Sequence, residues 1–267
     1  MTAAASNTFG STRVVAGLGG IATGALCYGM VLIAWWVGSL LLPPIVLPSP
    51  AAVGAAIDEL VRGNRFLADV GLTFMRTIMG VATSAAAALA VIFLARYVGW
   101  FRRFYLDALY PLSRALPTVS VGLFGLAWFG LGSPAVAFVV FITVLPVYLT
   151  NLWEAQKVAD ASVLEMGRAI SRKQYRLVSK VLLPLLVPPL FSATKFAFSV
   201  GFKLSLVGEI LAASDGMGYS LLHAMQEYKT SHVLAWIVIL IGMVSALDWA
   251  VFDRLERVIL RRWAFDD

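Results

Sequence analysis

The sequence predicts an all-α membrane protein with about six transmembrane helices, and three observations indicate this class. Of its 267 residues, 60% are hydrophobic and 13% are charged, whereas about 25% of a soluble domain is charged. The mean hydropathy is +0.84. Six apolar runs reach the roughly 20 residues that cross a bilayer. They cover about 20–42, 67–95, 104–129, 134–153, 181–212 and 233–253.

The distribution of basic residues predicts how these spans are oriented. With the N-terminus in the cytoplasm, fourteen Lys or Arg residues fall in the inner segments and three in the outer segments. Positively charged residues favour the cytoplasmic side. We therefore expect both termini in the cytoplasm of a multi-pass inner-membrane protein. The three outer residues are Arg62, Arg65 and Lys229.

Prolines occur within several predicted spans. A proline in a membrane helix frees a backbone carbonyl that its neighbours must satisfy, so we expect helix kinks at these positions. The prolines are Pro117, Pro146, Pro184, Pro188 and Pro189.

Two outer segments, 43–66 and 213–232, are too long to be simple turns. In the first, Ser49 can cap a short amphipathic helix that runs to about Val61. The second begins with Ser214-Asp-Gly-Met-Gly-Tyr219, which indicates a turn into another surface or re-entrant helix. Both segments are predicted to face an external partner.

The sequence lacks the usual patterns of catalysis. No GxxxxGK[ST] phosphate-binding loop or GxSxG nucleophile elbow occurs in it, so we expect no ATP hydrolysis by the chain itself. His223 and His232 stand nine residues apart without other metal-ligand spacing. We therefore expect no metal site and no cofactor. The basic residues lie between apolar spans, which argues against nucleic-acid binding despite the net charge of +6.

The cytoplasmic segment 154–180 is long enough to hold structure of its own. Apolar residues alternate with charges around Val163 to Ile170, which is typical of a short amphipathic helix. Ser171 and Gln174 are spaced as a capping box that opens a further helix. Two interpretations remain open at this point, a helix that binds anionic lipid at the membrane surface and a helix that contacts a partner protein.

The same segment resembles a loop found in permeases of binding-protein-dependent ABC importers. In that family the loop reads E-A-A-x-x-x-G, followed after nine residues by I/V-x-L-P. This chain has Glu165-Met-Gly167-x-x-x-Ser171, followed after nine residues by Val181-x-Leu183-Pro184. Met166-Gly167 replaces two alanines and Ser171 replaces the glycine, so the capping box must close the turn instead.

Further motifs place the resemblance in the branch that imports nitrate, sulfonates, taurine and related small anions. The resemblance covers about residues 47–263. The motifs are Leu47-Pro-Ser-Pro50, Thr73-x-x-Arg76-x-x-x-Gly80, Trp128-Phe-Gly-Leu-Gly132 and Gly216-Met-Gly-Tyr219.

This resemblance implies the type I importer fold. It implies a homodimer of permeases in the membrane lipid, two cytoplasmic ATP-binding subunits and a periplasmic or lipid-anchored solute-binding protein. The chain then divides into a cytoplasmic tail 1–19, a permease domain 20–253 and a cytoplasmic tail 254–267. A coupling helix within the loop would contact the ATPase. The implied coupling residues are Glu165, Met166, Gly167, Arg168, Ser171, Leu183 and Pro184.

Six charged residues fall within or at the ends of the spans. A charge at the bilayer centre costs about 2.5–3.5 kcal/mol, so these residues should face protein or water. They are Arg76, Arg114, Lys195, Lys203, Glu209 and Asp248. Either they form ion pairs between helices, such as Arg76 with Glu209 or Asp248, or the excess cations line a pathway for an anion.

Two other functions remain as alternatives. An ion-coupled secondary transporter would commonly show paired internal repeats, and no such repeat stands out in the sequence. A non-transporting membrane scaffold would not require the spaced loop motif or the intramembrane charges.

Overall fold

Regular secondary structure in the described residues is helical. The computed structural model describes residues 26–115, 117–159 and 183–257. Two π-helical turns are present among them, Tyr105–Leu109 and Asp248–Phe252. The helices are α1 (Leu26–Leu41), α2 (Pro50–Arg62), α3 (Phe66–Tyr97), α4 (Gly99–Phe104), α5 (Tyr110–Ala115), α6 (Thr118–Phe129), α7 (Ser133–Ala159), α8 (Leu183–Ala212), α9 (Met217–Gln226) and α10 (Thr230–Leu247).

Within residues 26–115, 117–159 and 183–257, four segments are long and apolar enough to cross a membrane. They correspond to the second, fourth, fifth and sixth predicted spans, and they are Phe66–Tyr97, Ser133–Ala155, Leu186–Ala212 and Thr230–Arg257. The described part of the first predicted span is the shorter helix α1. The all-helical membrane class is therefore confirmed, while the count of six spans and the cytoplasmic termini stay predictions.

The predicted span over 104–129 is divided at Pro117, one of the prolines at which the sequence led us to expect a kink. Helix α5 ends at Ala115 and α6 begins at Thr118. Pro117 between them has an extended backbone, with φ −76° and ψ 126°. Proline has no N–H to donate into a preceding helical turn. By contrast, α7 continues through Pro146, and α8 contains Pro188 and Pro189.

Helices α3, α7 and α8 pack closely because glycines stand where they meet. A Cβ atom added to Gly80 of α3 would lie 2.5 Å from Val140 Cβ of α7. One added to Gly201 of α8 would lie 3.1 Å from side chains of Val140 and Val81. Small residues allow membrane helices to approach in this way. The buried core between the helices includes Ala88, Ile92, Val144, Tyr148, Leu152 and Ala197.

A helix forms in each of the two predicted outer segments. Ser49 caps α2, with its Oγ accepting the Ala52 N–H at 3.2 Å, and α2 ends at Arg62, one residue beyond the predicted end. The apolar face of α2 packs against α10 through Val53, Ala56 and Ala235. Helix α9 follows the glycine turn, as the sequence indicated.

Candidate functional site

One face of α3 carries a row of buried polar side chains. Asp69, Thr73 and Thr77 recur every four residues, and Arg76 follows Thr73 by three, so they project from the same side of the helix. Arg76 is only 1% exposed and Thr73 is fully buried. A buried polar row of this kind requires partners on neighbouring helices.

Arg76 is the centre of this network. Its Nε donates to Ser133 Oγ at 3.0 Å, and its Nη1 donates to Glu209 Oε1 at 2.9 Å and to the Asp215 carbonyl at 3.0 Å. Its Nη2 donates to Asp215 Oδ1. One guanidinium therefore connects α3, the start of α7, the end of α8 and the turn before α9. Its fixed fork of donors suits such a junction.

The carboxylate of Glu209 is fully buried and held from several directions. Besides Arg76, it accepts from the Thr73 hydroxyl at 2.9 Å and from the Gly218 N–H at 2.8 Å. The Thr73 hydroxyl in turn accepts the Met217 N–H at 3.0 Å. An unpaired charge would be costly in this position, so these contacts account for a buried glutamate near the C-terminal end of α8.

The turn before α9 fits around Glu209 only because it contains glycine. Gly216 has φ +98°, which L side chains rarely adopt, and a Cβ added there would lie 2.5 Å from Glu209 Oε1. The Gly216 N–H donates to Asp69 Oδ1 at 3.2 Å, and the Ser220 hydroxyl donates to Asp69 Oδ2 at 2.6 Å. The turn is thus fixed to both α3 and α8.

The structure decides between the suggested partners of the intramembrane charges. Arg76 contacts Glu209, whereas Asp248 begins the π-helical turn after α10. Lys195 pairs with neither of these two acids. Its Nζ lies 2.8 Å from Asp253 Oδ1 and 2.9 Å from Glu256 Oε2, because the segment that follows the π-helical turn after α10 passes beside α8.

Two further sequence candidates lie on different helices. Lys203 is exposed on α8 and has no ion-pair partner among residues 26–115, 117–159 and 183–257. It shares an exposed stripe with Phe196 and Val207. Arg114 belongs to α5, and its side chain lies outside the described part of the structure.

The predicted coupling residues fall largely outside the described residues. Leu183 and Pro184 form the first turn of α8, and their side chains are not described. The residues outside the described range are Glu165, Met166, Gly167, Arg168 and Ser171.

An open cavity of about 370 Å³ adjoins the network beside α9, at the C-terminal end of α2 and the N-terminal end of α10. Its lining includes Glu59, Arg65, Tyr219 and Trp236. Asp69, a member of the Arg76 network, contributes to the same cavity.

A charged pair stands at the rim of this cavity, between α9 and α10. Lys229 Nζ lies 2.9 Å from Glu227 Oε2. This hydrogen bond lowers the pKa of the Glu227 carboxyl and raises that of the Lys229 ammonium. Both groups are therefore charged at neutral pH and satisfy each other.

Sequence reasoning missed several members of the network. Ser133, Ser205 and Asp215 were not singled out, nor were Asp253 and Glu256 beside Lys195. The spacing of polar residues in α3 was a usable signal for Asp69 and Thr77, since both share a helical face with Arg76. No local pattern indicates Ser205, whose Oγ lies 2.7 Å from Thr77 Oγ1 across two helices.

Comparisons with known proteins agree with this architecture. Residues 49–264 match the family model described as the binding-protein-dependent transport system inner membrane component. The chain is 27% identical to the putative aliphatic sulfonates transport permease protein SsuC of Bacillus subtilis, over 86% of this chain and 84% of the relative. It is 24% identical to the formylaminopyrimidine transport permease protein ThiX of Halalkalibacterium halodurans, over 88% and 93%.

A solved structure shows the same fold. An inward-facing crystal form of the MetNI methionine ABC transporter aligns with a TM-score of 0.63 and 20% identity, covering 72% of this chain and 95% of the matched chain. The family match extends over most of the sequence and includes both the Arg76 network and the predicted coupling loop. The chain therefore belongs to the family of binding-protein-dependent transport system inner membrane components, the multi-pass permease subunits of ABC importers.

Proposed function

We propose that this permease moves a small anionic or zwitterionic solute, of the nitrate, sulfonate or taurine kind, into the cytoplasm by alternating access. It acts as a homodimer with two ATP-binding subunits and an external solute-binding protein. Family members are permease subunits that do not hydrolyse ATP themselves. The sulfonate permeases among its relatives support an anionic cargo.

The environment of Lys203 is the main observation that supports an anionic or zwitterionic solute. It is a cation within an apolar span, it is exposed, and it has no ion-pair partner in the described ranges. A lysine in contact with lipid tails would cost several kcal/mol. We therefore place its stripe of α8 against water, where the ammonium attracts an anion that crosses the membrane.

The position of α8 supports the switching mechanism. The helix begins directly after the predicted coupling loop and ends at Glu209 in the outer network. A displacement of the loop by the ATPase would act on the whole helix, because packed helices move as rigid elements. Lys203 lies between the two ends and would be exposed to each side in turn.

The test compares Lys203→Met with Lys195→Met in proteoliposomes that contain the complete importer. Methionine keeps an unbranched side chain of similar length and removes the charge. A hydrogen bond to a charged group contributes about 1.5–3 kcal/mol, so we expect Lys203→Met to lower uptake of taurine, an alkanesulfonate or nitrate by about tenfold or more. The amount of assembled complex should not change.

Lys195→Met is the matched control on the same helix. It removes a cation that is already paired with Asp253 and Glu256, so we expect lower thermal stability but normal uptake per assembled complex. Normal uptake in Lys203→Met, or uptake of cationic solutes alone, would contradict the proposed substrate class.

A further inference from the structure

The outer cavity contains two charged side chains that the fold leaves available. Glu59 is 74% exposed and contacts His232, with 3.3 Å between Oε2 and Nε2. Arg65 is exposed, and no residue in the described ranges forms an ion pair with it. Both side chains line the cavity.

The neighbouring pair on α2 differs in this respect. Asp58 Oδ1 and Arg62 Nε lie 2.9 Å apart, so each satisfies the other on the helix surface. Neither residue lines the cavity. This part of the chain thus contains two sets of one acid and one base. Asp58 and Arg62 are paired with each other outside the cavity. Glu59 and Arg65 line the cavity and are not paired with each other.

Aromatic side chains line the same cavity as these charges. Phe66 and Trp236 stack with 5.8 Å between ring centroids, and Tyr219 lines the same space. A pocket with an aromatic wall and a polar rim is the usual environment of a dominant contact in a protein interface. A volume of about 370 Å³ holds one or two side chains rather than a folded segment.

We propose that this cavity is the socket for a protruding segment of the solute-binding protein, which presents a basic side chain to Glu59 and an acidic one to Arg65. The solute itself is a less suitable occupant, because the lining residues come from the outer helix ends and not from the stripe of α8 that contains Lys203. Charge pairs of this kind set the orientation of a partner and the rate at which it docks.

The cavity also connects the partner to the transport helix. Its lining residues Asp69 and Ser220 are hydrogen-bonded to each other at 2.6 Å. Ser220 belongs to α9, whose first turn donates to Glu209 of α8 through the Gly218 N–H. Docking at the rim therefore acts on the outer end of α8. This inference rests on the proposed importer function and names the surface that its external partner occupies.

The experiment titrates the solute-binding protein against the complete importer in nanodiscs and measures the stimulation of ATP hydrolysis. The probe is the solute-binding protein that stimulates the wild-type complex. We expect Glu59→Lys and Arg65→Glu each to raise its half-maximal concentration by about tenfold or more, as truncation of a close charge pair does. Asp58→Lys and Arg62→Glu, the matched controls, should stay within about twofold, as expected for exposed pairs.

A second measurement identifies the partner side chains. We expect one Lys or Arg to Glu change in the solute-binding protein to restore stimulation of the Glu59→Lys complex but not of the Asp58→Lys complex. Equal effects of all four permease variants, or no rescue of Glu59→Lys by any such change, would overturn the socket. Absence of stimulation in the wild-type complex by every solute-binding protein would instead contradict the proposed importer function.

Discussion

At the scale of single residues, the buried charges of Arg76 and Glu209 depend on complete pairing. Their side chains are 1% and 0% exposed. Removal of one partner from a buried pair leaves an uncompensated charge and typically costs about 3–5 kcal/mol. The network therefore gives the outer ends of α3, α8 and α9 one fixed arrangement.

Removal of the Thr73 hydroxyl tests the contribution of the network to stability with a smaller change than removal of the Arg76 or Glu209 charge. It donates to Glu209 and accepts the Met217 N–H, whereas valine has nearly the same shape without the hydroxyl. We expect Thr73→Val to destabilise the protein by about 1–3 kcal/mol, because a buried N–H loses its acceptor. The measurement is the fraction of monodisperse protein after heating in detergent.

Thr83→Val is the matched control on the same helix. The Thr83 hydroxyl donates only to carbonyls of its own helix, Met79 at 2.7 Å and Gly80 at 3.0 Å, and the residue is exposed. We expect a change within about 0.5 kcal/mol. Equal destabilisation by both variants would show that the network contributes no special stability.

At the scale of helices, close packing of α3 and α7 depends on Gly80. The nearest atoms to an added Cβ belong to Val140 at 2.5 Å and to the Ala137 carbonyl at 2.8 Å. Backbone and β-branched atoms cannot rotate away, so the helices would have to separate. The same contact surface places Arg76, one turn earlier in α3, beside Ser133 at the start of α7.

We expect Gly80→Ala to lower stability by about 1–3 kcal/mol through overpacking. The measurement is again thermal stability in detergent, together with the yield of assembled complex. Gly71→Ala on the same helix is the control, because no atom lies within 4 Å of its added Cβ. Alanine favours a helix by up to about 1 kcal/mol over glycine, so Gly71→Ala should be neutral or stabilising. A neutral Gly80→Ala would contradict the close approach.

At the scale of the whole molecule, the proposed mechanism requires the predicted coupling loop and the Arg76 network to act on one helix. Helix α8 extends from Leu183 to Ala212 and carries Lys195, Lys203 and Glu209 in order. The first is paired with the last helix, the second is exposed, and the third is held by Arg76. The helix is thus anchored near both ends and presents a free cation between them.

The coupling proposal predicts that Glu165→Lys abolishes ATP-driven uptake while the chain inserts normally. Truncation or reversal of a buried charge at an interface costs about 2–5 kcal/mol, so copurification of the ATPase or stimulated hydrolysis should fall by tenfold or more. Uptake by the wild-type complex should require ATP and the separate ATPase subunit.

Ser171→Gly is the comparison variant for this test. It places the family's glycine at the turn and loses a helix cap that contributes about 1 kcal/mol, so uptake should stay close to that of the wild-type complex. Weaker lipid binding by Glu165→Lys, with unchanged ATPase association and hydrolysis, would mean that the loop is an interfacial membrane helix. Uptake driven by an ion gradient without ATP would contradict the importer function.

The sequence by itself determined the class of the protein, its family and the two short helices α2 and α9. Apolar runs of membrane length are local signals, because a helix that crosses the bilayer is one contiguous segment of about 20 residues. The spaced loop motif is also read from one contiguous stretch of sequence. The cap at Ser49 and the turn at Gly216 are also local, and both helices formed where the sequence indicated.

Only the tertiary structure decided which charges meet. Arg76 and Glu209 are separated by 133 positions, and Lys195 pairs with Asp253 and Glu256, which the sequence analysis did not single out. Packing at glycines such as Gly80 determines which helices become neighbours. It also determines which side chains of two neighbouring helices lie at the same level. Hydrogen bonds and ion pairs require atoms within a few ångströms of each other. The number of residues between two positions in the sequence does not indicate whether their side chains come that close.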